Sequence, residues 1–492
     1  MIDPIPQDAT AWGALDTPCF VLDEPELRAN FDDFTAALHA AWSPLGRVAY
    51  SVKTNPLPWI LRVAREQGCL AEVVSGDEFE LALECGFAPQ DVIFNGPIKP
   101  RAWLEYALGH GAIVNLDSVR DVAWTIAWAA EHPGQAHVGV RVGVDVEKFC
   151  PGETITGENG GRFGFCYENG EATRVIRELQ AASVDVCGLH MHVTTLSRSQ
   201  RVYEVLAQHA AAVIRECSLT PRFIDMGGGY YGGGKRNAGA YDAYAATMSE
   251  VLRRVADPAS CALYVEPGGA VVCTPGRYVG RVVDAKDTSH DRFVTCELSR
   301  LNIDHEMKKT KHPIHLLDEH GEHELIGVGA PVDVRCAASC GSACEAAAEG
   351  GVRQNPCADG DVFDTAGVVA RPGATNPGTT ERRVLARQVL CGFTCMESDR
   401  LCVLEDKPEL AVGDVLLIDF AGAYSMSFTP GFFIEHAPAV YARDENGTCT
   451  LVRPLASGQV PAEHGGDISD ASGAGRVGTT ASAGAEPAGA AR

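Results

Sequence analysis

Lys53 is the residue of this sequence best placed for covalent chemistry. It ends a short β-like run, 48–52, and is followed at once by Thr54-Asn55-Pro56. A lysine at the C-terminal end of an apolar strand can be held out of bulk water, with its amine aimed into a cleft. Desolvation lowers the pKa of a lysine, and a neutral amine attacks an aldehyde to form a Schiff base. Taken alone, Lys53 fits a surface lysine that follows a strand better than a catalytic one, and the rest of the chain reverses that preference.

Polar residues and glycines stand at the ends of the other β-like runs. In chain order these ends hold Glu72, Asn95, Asp117, Arg141, His190 with His192, Gly227-Gly228-Gly229 and Glu266-Pro267-Gly268-Gly269. Glycine lets backbone N–H groups approach phosphate oxygens closely, and barrels commonly bind phosphate after their last two strands. The two glycine clusters therefore favour a phosphate site over an ordinary tight turn.

An amine for a Schiff base, a phosphate site and an acid at the last strand together predict pyridoxal 5'-phosphate. Glu266 would pair with the pyridine nitrogen and keep it protonated, which makes the ring an electron sink. His192 could stack on the ring face. His190 and His192 are two residues apart, so both point the same way from a strand. A metal site would need further ligands, and the sequence shows none, so we expect no metal.

The elements that must position these residues alternate between β-branched runs and helical segments rich in Ala, Leu and Glu. Eight strand candidates are present: 48–53, 71–74, 92–95, 113–117, 138–144, 186–193, 223–226 and 263–266. This alternation predicts an α/β fold with a (β/α)8 TIM-type barrel over 30–272. A doubly wound sheet is the alternative, but Lys53-Thr54-Asn55-Pro56 is not the glycine-rich nucleotide fingerprint expected after its first strand.

After the barrel the pattern changes to strands separated by turn residues, which predicts an all-β domain over 273–456. A strand at Cys19–Asp23, within an N-terminal segment 1–29, is expected to join it. Further strands are expected at 278–284, 292–298, 331–334, 383–392, 415–419, 439–442 and 448–453. An insertion at about 337–380 and a tail at 457–492 are rich in small residues, and both are predicted to be disordered.

Composition narrows the class of protein. The 492 residues carry a net charge of −24, which argues against nucleic-acid binding. No apolar run is long enough to span a membrane, and the first residues lack a secretory signal, so we expect a cytoplasmic protein. The 18 cysteines are expected to be mostly reduced. One cluster matches neither a usual zinc nor a familiar iron–sulfur spacing: Cys336, Cys340, Cys344 and Cys357.

The chain resembles the fold-type III (alanine-racemase-like) pyridoxal-phosphate decarboxylases, the family of diaminopimelate, ornithine and carboxynorspermidine decarboxylases. The resemblance extends over about 400 residues and its motifs follow the family order. The matching motifs are Tyr50-Ser-Val-Lys53-Thr-Asn55, Glu72-Val-Val-Ser75-Gly76, Gly188-Leu-His-Met-His192-Val, Asp225-Met-Gly-Gly-Gly229, Glu266-Pro-Gly268, Cys391-Gly-Phe-Thr-Cys395 and Gly422-Ala-Tyr424.

The resemblance implies roles for individual residues. Lys53 is implied as the Schiff-base lysine, His192 as the ring-stacking histidine and Glu266 as the partner of the pyridinium. Cys395 resembles the cysteine that protonates the carbanion, contributed across a homodimer interface. The phosphate is implied to contact Gly227, Gly228, Gly229, Gly268 and Tyr424.

Three departures from the family pattern concern the phosphate and the substrate. Gly269 stands where the family usually has an arginine, which removes a cation near the phosphate or substrate. Met396 stands where many relatives have an acid that recognises the distal amine of the substrate, and Glu397 follows it. Thr194-Thr195 replaces a phosphate-contacting Gly-Ser, and the Thr195 hydroxyl can serve the same purpose.

The predicted reaction is loss of the α-carboxylate from a diamino acid such as meso-diaminopimelate. Ornithine-type and carboxynorspermidine-type decarboxylases are alternatives. An amino-acid racemase is a rival on the same barrel, but racemases typically pair the pyridine nitrogen with arginine, and Glu266 argues against one. A degenerate, non-enzymatic homologue with a regulatory role is disfavoured by the intact Lys53 and Cys395.

Overall fold

A computed structural model describes residues 12, 15–234, 237, 239–304, 312–318, 321–327, 382–426 and 437–455. The predicted insertion, the predicted tail, the strand at 331–334 and the four clustered cysteines lie outside the described residues.

Eight parallel strands form a closed barrel. The chain enters it after a strand β1 (Cys19–Asp23) that belongs to another sheet. Closure is achieved by pairing of the fourth barrel strand with the fifth, and of the first with the last. The barrel strands are β2 (Gly46–Ser51), β3 (Leu70–Val73), β4 (Val92–Phe94), β5 (Ile113–Leu116), β6 (His137–Gly143), β8 (Asp185–His190), β9 (Phe223–Asp225) and β10 (Ala262–Val265), with a short β7 (Phe165–Cys166) beside β6.

Apolar side chains fill the N-terminal end of the barrel. Ala49, Leu70 and Ile93 form a buried cluster there, and the rings of Phe223 and Tyr264 stack with centroids 5.5 Å apart. Gly188 leaves the room for Phe223, because a Cβ at Gly188 would collide with that ring. A packed interior leaves the C-terminal ends of the strands as the place for polar side chains.

Helices surround the barrel and begin at side-chain caps. Ser75 accepts from the N–H of Glu78, and Ser118 accepts from the N–H of Asp121, which satisfies free donors at two helix starts. The helices are α1 (Glu24–Ala41), α2 (Pro58–Glu66), α3 (Gly76–Glu84), α4 (Arg101–Gly109), α5 (Val119–Glu131), α6 (Glu171–Ala181), α7 (Gln200–Glu216), α8 (Ala240–Leu252) and the short α9 (Gly269–Val272). None of these described helices is both long and apolar enough to cross a membrane.

A ten-stranded sheet forms the second structural layer. Besides β1, its strands are β11 (Gly276–Asp287), β12 (Arg292–Cys296), β13 (Ile314–Asp318), β14 (Gly321–Ile326), β15 (Val384–Cys391), β16 (Arg400–Pro408), β17 (Val415–Asp419), β18 (Ala439–Arg443) and β19 (Cys449–Arg453). The main strand order is β14-β13-β17-β11-β1-β18-β19, and β12, β15 and β16 extend from β11.

Strand β1 lies inside this sheet, antiparallel to β11 and parallel to β18. The predicted fold, a TIM-type barrel with a β domain that an N-terminal strand joins, is therefore confirmed. The boundaries at 29, 272 and 456 stay predictions.

Two local predictions need correction. The strand predicted to reach Lys53 ends at Ser51, and residues Val52–Thr54 form a 3-10 turn, so Lys53 follows its strand instead of ending it. Strands β13, β14 and β16 were not predicted.

His315 on β13 forms ion pairs whose contribution to the stability of the β domain is expected to depend on pH. Burial acts to lower the pKa of His315, but Asp419 (3.2 Å) and Glu322 (2.9 Å) outweigh it and raise this pKa to about 9. A pKa raised above that of the unfolded chain stabilises the fold below about pH 6.5, and this stability is lost as the pH rises through about 9.

We expect His315→Gln to lower the free energy of unfolding by about 1–3 kcal/mol at pH 6 and by much less at pH 10. Unfolding of wild type and variant at the two pH values measures the difference. His290→Gln is the control, since His290 is exposed. An equal loss at both pH values would show that the ion pairs contribute nothing.

Candidate active site

The amine of Lys53 contacts a buried carboxylate at the C-terminal end of the barrel. Its Nζ donates to Glu72 Oε2 over 2.8 Å and to Ser51 Oγ over 2.8 Å. Ser51 in turn donates to the same Glu72 oxygen over 2.6 Å. Glu72 is 1% exposed and Lys53 is 42% exposed, so a fixed carboxylate holds an amine that remains accessible from the barrel mouth.

The expectation that desolvation lowers the pKa of Lys53 is wrong for this chain. Burial does act to lower it, but the carboxylates of Glu72 and Glu266 outweigh burial, and the pKa of Lys53 lies above its ordinary value. Lys53 is therefore an ammonium ion in this state, and Glu72 is the group placed to take its proton.

Asn95 joins the surroundings of Lys53 to those of Glu266. Its side-chain amide donates to Glu72 Oε1 over 3.1 Å and to Glu266 Oε1 over 2.5 Å. Asn115 holds Asn95 in place by donating to its carbonyl oxygen over 2.9 Å. All these side chains stand at the ends of neighbouring strands, which is why one network can include them.

Glu266 also lies in a buried group with Asp225 and His190. The ligand atoms of these three side chains lie within 4.8 Å of one another. Burial and the neighbouring Glu266 raise the pKa of Asp225 well above its usual range. Burial would raise the pKa of Glu266 too, but His190, a hydrogen bond shared with Asp225, and Lys53 outweigh it and lower this pKa.

Of these two acids, Asp225 is therefore the protonated one and Glu266 is the negatively charged one. His190 Nε2 lies 3.4 Å from Glu266 Oε2. The three residue types could also ligate a metal ion, so the absence of a metal stays a prediction.

His192 is held as a neutral ring. Its Nδ1 accepts a hydrogen bond from the N–H of Gly228 over 3.1 Å, which places the ring proton on Nε2. Burial and the charge of Arg141 lower the pKa of His192 to about 3. The ring lies parallel to that of His190, with an interplanar angle of 4°.

Arg141 is fixed beneath His192 by buried charges. Arg141 Nη1 donates to Asp117 over 2.8 Å, and Nη2 lies 3.4 Å from the carbonyl oxygen of His192. A fully buried ion pair, Lys99 with Asp121 at 3.2 Å, stands next to Asp117, whose N–H donates to Asp121. The loop ends of four strands are thereby linked through charged groups.

We call the set of Gly227, Gly228, Gly229 and Gly268 the glycine cradle. At three of these four positions there is no room for a side chain. A Cβ on Gly227 would lie 2.5 Å from His192, and one on Gly228 would lie 2.5 Å from the carbonyl oxygen of Glu266. A Cβ on Gly268 would collide with the hydroxyl of Thr54. Only glycine permits neighbouring atoms to approach these three backbone positions so closely.

Thr195 and Tyr424, the other two residues predicted to contact the phosphate, lie on different elements. Thr195 Oγ1 accepts from the N–H of Arg198 over 2.7 Å, so its own hydroxyl hydrogen remains to be donated. The N–H of Tyr424 donates over 2.9 Å to the carbonyl of Thr54, the residue after Lys53. The sheet residue Tyr424 is thus brought to the barrel mouth.

Cys395, Met396 and Glu397 lie elsewhere, on the loop between β15 and β16. Cys395 is exposed, and Glu397 is 96% exposed with Arg400 as its ion-pair partner. Within the described ranges, no hydrogen bond or ion pair joins these three residues to Lys53, Glu72 or Glu266. Among the described residues, no such contact links the predicted cysteine to the predicted lysine of the same chain.

The loop that bears Cys395 is nevertheless rigidly anchored. Asp399, 2% exposed, accepts from Thr394 Oγ1 over 2.7 Å, from Ser299 Oγ over 2.9 Å and from the N–H of Arg300 over 2.9 Å. A buried acid with three donors fixes both ends of an exposed tip.

A closed barrel with a lysine in the turn after its first strand, a glycine cradle and a carboxylate after its last strand defines a class of cofactor-dependent enzyme. The family model for the pyridoxal binding domain of pyridoxal-dependent decarboxylases matches residues 26–273. The chain belongs to this family. It is a carboxy-lyase that depends on pyridoxal phosphate, which confirms the predicted family, reaction class and cofactor.

Several of the similar proteins are diaminopimelate decarboxylases. The chain is 27% identical over 299 residues to that of Zymomonas mobilis, covering 59% of this chain and 69% of the relative. It is 32% identical over 291 residues to that of Actinosynnema pretiosum, covering 57% of this chain and 64% of the relative. A crystal structure of the M. jannaschii enzyme with L-lysine has a TM-score of 0.68 at 20% identity, covering 89% of each chain. Another similar solved structure is the arginine decarboxylase of Paramecium bursaria Chlorella virus, with a TM-score of 0.63 at 17% identity, covering 87% of this chain and 98% of that one.

The residues present fit pyridoxal phosphate. Within the part of the chain that the structure describes, the N–H groups of Gly229, Tyr230, Gly268 and Gly269 have no protein acceptor. Four such donors around a cradle too narrow for a Cβ suit a phosphate group. The Thr54 hydroxyl, buried beside Gly268, likewise lacks a partner among the described residues.

Sequence reasoning did not include several residues of this network among the site residues. Ser51, Glu72, Asn95, Arg141 and Asp225 are all buried and polar at the ends of barrel strands. That position was the available signal, since barrel strand ends point at the active site. The sequence pattern placed Glu72, Asn95 and Arg141 at strand ends without assigning their contacts, and it did not place Ser51 or Asp225 there.

Proposed function

We propose that this chain decarboxylates a diamino acid at its α-carbon, with meso-diaminopimelate as the first candidate. The observation on which this rests is the continuous contact from Lys53 through Glu72 and Asn95 to Glu266, beside the glycine cradle. The names of the similar proteins support the substrate class, since loss of one carboxylate from diaminopimelate gives lysine.

Lys53 is proposed as the residue that binds the cofactor covalently. Pyridoxal phosphate, when bound, supplies an aldehyde for an amine and a ring that accepts electrons from a substrate carbon. Lys53 must lose a proton before it can act as a nucleophile, and Glu72 Oε2 lies 2.8 Å away to accept it. Glu72 is thus proposed as the base for Lys53.

Glu266 is proposed to face the pyridine nitrogen. It is kept negative because Asp225 retains the proton of the pair, and Asn95 orients one of its oxygens. A carboxylate in this place favours a protonated ring, which is the form needed for decarboxylation. His192, neutral and fixed by Gly228, is proposed to cover the ring face.

The phosphate is proposed to bind at Gly227, Gly228, Gly229 and Gly268, with the Thr195 hydroxyl and Tyr424 at its border. Two of these, Gly227 and Gly228, already donate N–H bonds to Asp225 and His192. The donors that remain are therefore those of Gly229 and Gly268 and their neighbours.

Cys395 is proposed to act from the second subunit of a homodimer, with Met396 and Glu397 beside the distal end of the substrate. The support is that Cys395 is exposed on an anchored loop and has no contact with Lys53 within the described residues. Glu397 offers a carboxylate to a distal amine. We also propose a cytoplasmic location.

The racemase alternative is disfavoured by the same geometry. A racemase of this fold type weakens the electron sink with an arginine at the pyridine nitrogen. In this chain Asn95, Asp225 and His190 surround Glu266, the carboxylate that we propose for that position. Ornithine-type and carboxynorspermidine-type decarboxylases share this geometry, so only a comparison of substrates can distinguish these alternatives.

A substrate panel tests the proposal. Purified enzyme loaded with pyridoxal phosphate is offered meso-diaminopimelate, ornithine, lysine and carboxynorspermidine, and carbon dioxide release is measured. We expect meso-diaminopimelate to react with a kcat/KM at least about tenfold above the others. Faster release of carbon dioxide from ornithine or carboxynorspermidine would show that this compound is the substrate instead. Inversion of a stereocentre without release of carbon dioxide would show that the enzyme is a racemase.

A further inference from the structure

A half-buried guanidinium borders the glycine cradle. Arg198 follows β8, and its Nη1 donates to the carbonyl oxygen of Tyr230 over 3.3 Å. Tyr230 is the residue directly after Gly229. The backbone of Arg198 is fixed as well, since its N–H donates to Thr195 over 2.7 Å and its carbonyl accepts from the Tyr244 hydroxyl over 2.5 Å. The Arg198 side chain therefore starts from a fixed backbone position in the loop after β8 and reaches the loop after β9.

Arg198 has no carboxylate partner among the described residues, although it is half-buried. Two arginines that are likewise out of bulk water do have one: Arg141 lies 2.8 Å from Asp117, and Arg277 lies 3.0 Å from Asp419. A guanidinium has five N–H donors, and the described contacts use one of them. An anion bound from outside the chain would balance the charge of Arg198 and accept hydrogen bonds from its unused donors.

The element that begins at Gly269, α9, is followed by Cys273, whose side chain interacts electrostatically with Arg198. Burial raises the pKa of Cys273, at the end of α9, and the charge of Arg198 opposes that rise, so the guanidinium lies near this element. Gly269 contributes no side chain. A Cβ built on it meets only the Ala423 methyl, at 3.8 Å, so space is available there.

We propose that Arg198 provides the cation for the phosphate of pyridoxal phosphate, from the loop after β8, in place of the side chain that Gly269 lacks. The inference rests on the proposed phosphate position. A phosphate dianion in a site of this burial needs more than neutral N–H donors, and an arginine hydrogen bond to phosphate is among the strong ones. Arg198, with four unused donors, meets that need.

The test compares two ligands that differ only in the phosphate group. Apo-enzyme is titrated with pyridoxal phosphate and, separately, with pyridoxal, and binding is followed by visible absorbance. We expect Arg198→Ala to weaken pyridoxal phosphate binding roughly 10- to 100-fold and to change pyridoxal binding less than about threefold.

Three further variants separate charge from structure. Arg198→Gln retains a donor for Tyr230 but no charge, and we expect the loss to match that of alanine. Arg198→Lys should recover most of the affinity. The double variant Arg198→Ala with Gly269→Arg should also recover affinity, because it restores a cation from the other side. Arg201→Ala is the matched control, since Arg201 is 52% exposed and pairs with Glu204.

An equal loss for both ligands would overturn the proposal, because it would assign Arg198 a purely structural role. Unchanged pyridoxal phosphate affinity with a raised KM would also overturn it and would place Arg198 at the substrate carboxylate. A wild-type protein that binds neither ligand would refute the cofactor site as a whole, which is a different failure.

Discussion

Lys53→Ala is expected to abolish both turnover and the visible absorbance of bound cofactor. Within the described part of the chain, Lys53 is the lysine whose amine reaches the network of Glu72, Asn95 and Glu266. Removing a nucleophile that makes a covalent bond typically lowers turnover by more than about 10³-fold. Absorbance spectra and carbon dioxide release measure the two effects.

Lys148→Ala is the matched control for this variant. Lys148 is 61% exposed and pairs with Asp145 after β6, so its loss should leave both signals intact. A folded Lys53→Ala protein that retains the absorbance and turns over substrate would disprove the assignment of Lys53.

Mixing two inactive variants is expected to restore activity. If Cys395 serves the Lys53 of the other subunit, Lys53→Ala and Cys395→Ala homodimers should both work poorly. Random exchange makes half the dimers mixed, and each mixed dimer has one intact site and one doubly altered site. The mixture should therefore regain up to about a quarter of wild-type activity, as a two-fold symmetric interface with shared sites requires.

The control for the exchange is a mixture of each variant with itself under the same conditions. Subunit exchange is verified by mass, using a tag on one variant. Mixed dimers that form but are no more active than their parents would show that each site belongs to a single chain.

The sequence was sufficient for the barrel because its strands are short apolar runs separated by helices with clear caps. Polar residues that interrupt such runs at their ends were informative for the same reason. Glu72, Asn95 and Glu266 could be named from their positions, since the carboxyl ends of parallel strands meet at one edge.

The protonation of Lys53 could not be predicted, because it depends on distances that the sequence does not contain. Burial and two carboxylates act in opposite directions on its pKa, and at the observed separation the carboxylates have the larger effect. Arg198 was missed for a related reason. No motif contains it, and its significance comes from Tyr230 and Cys273, which are distant in sequence.

The unpredicted strands β14 and β16 lie at edges of the β domain, where each pairs with one neighbour. Their sequences, GEHELI and RLCVLEDKP, mix charged and apolar residues without a continuous apolar run. Charges on edge strands discourage pairing with other molecules, and they also weaken the strand pattern.

The position of β1 has a consequence for the order of events during synthesis. Register pairs Cys19 with Val279 on one side and with Ala439 on the other. Residues about 400 positions apart must therefore meet, and at ribosomal speeds β1 waits roughly 20–80 s for its second neighbour. The barrel strands emerge during that interval, so a nascent chain can hold a formed barrel while an apolar strand beside it still lacks a sheet. Chaperone binding during translation is expected to concentrate on that strand.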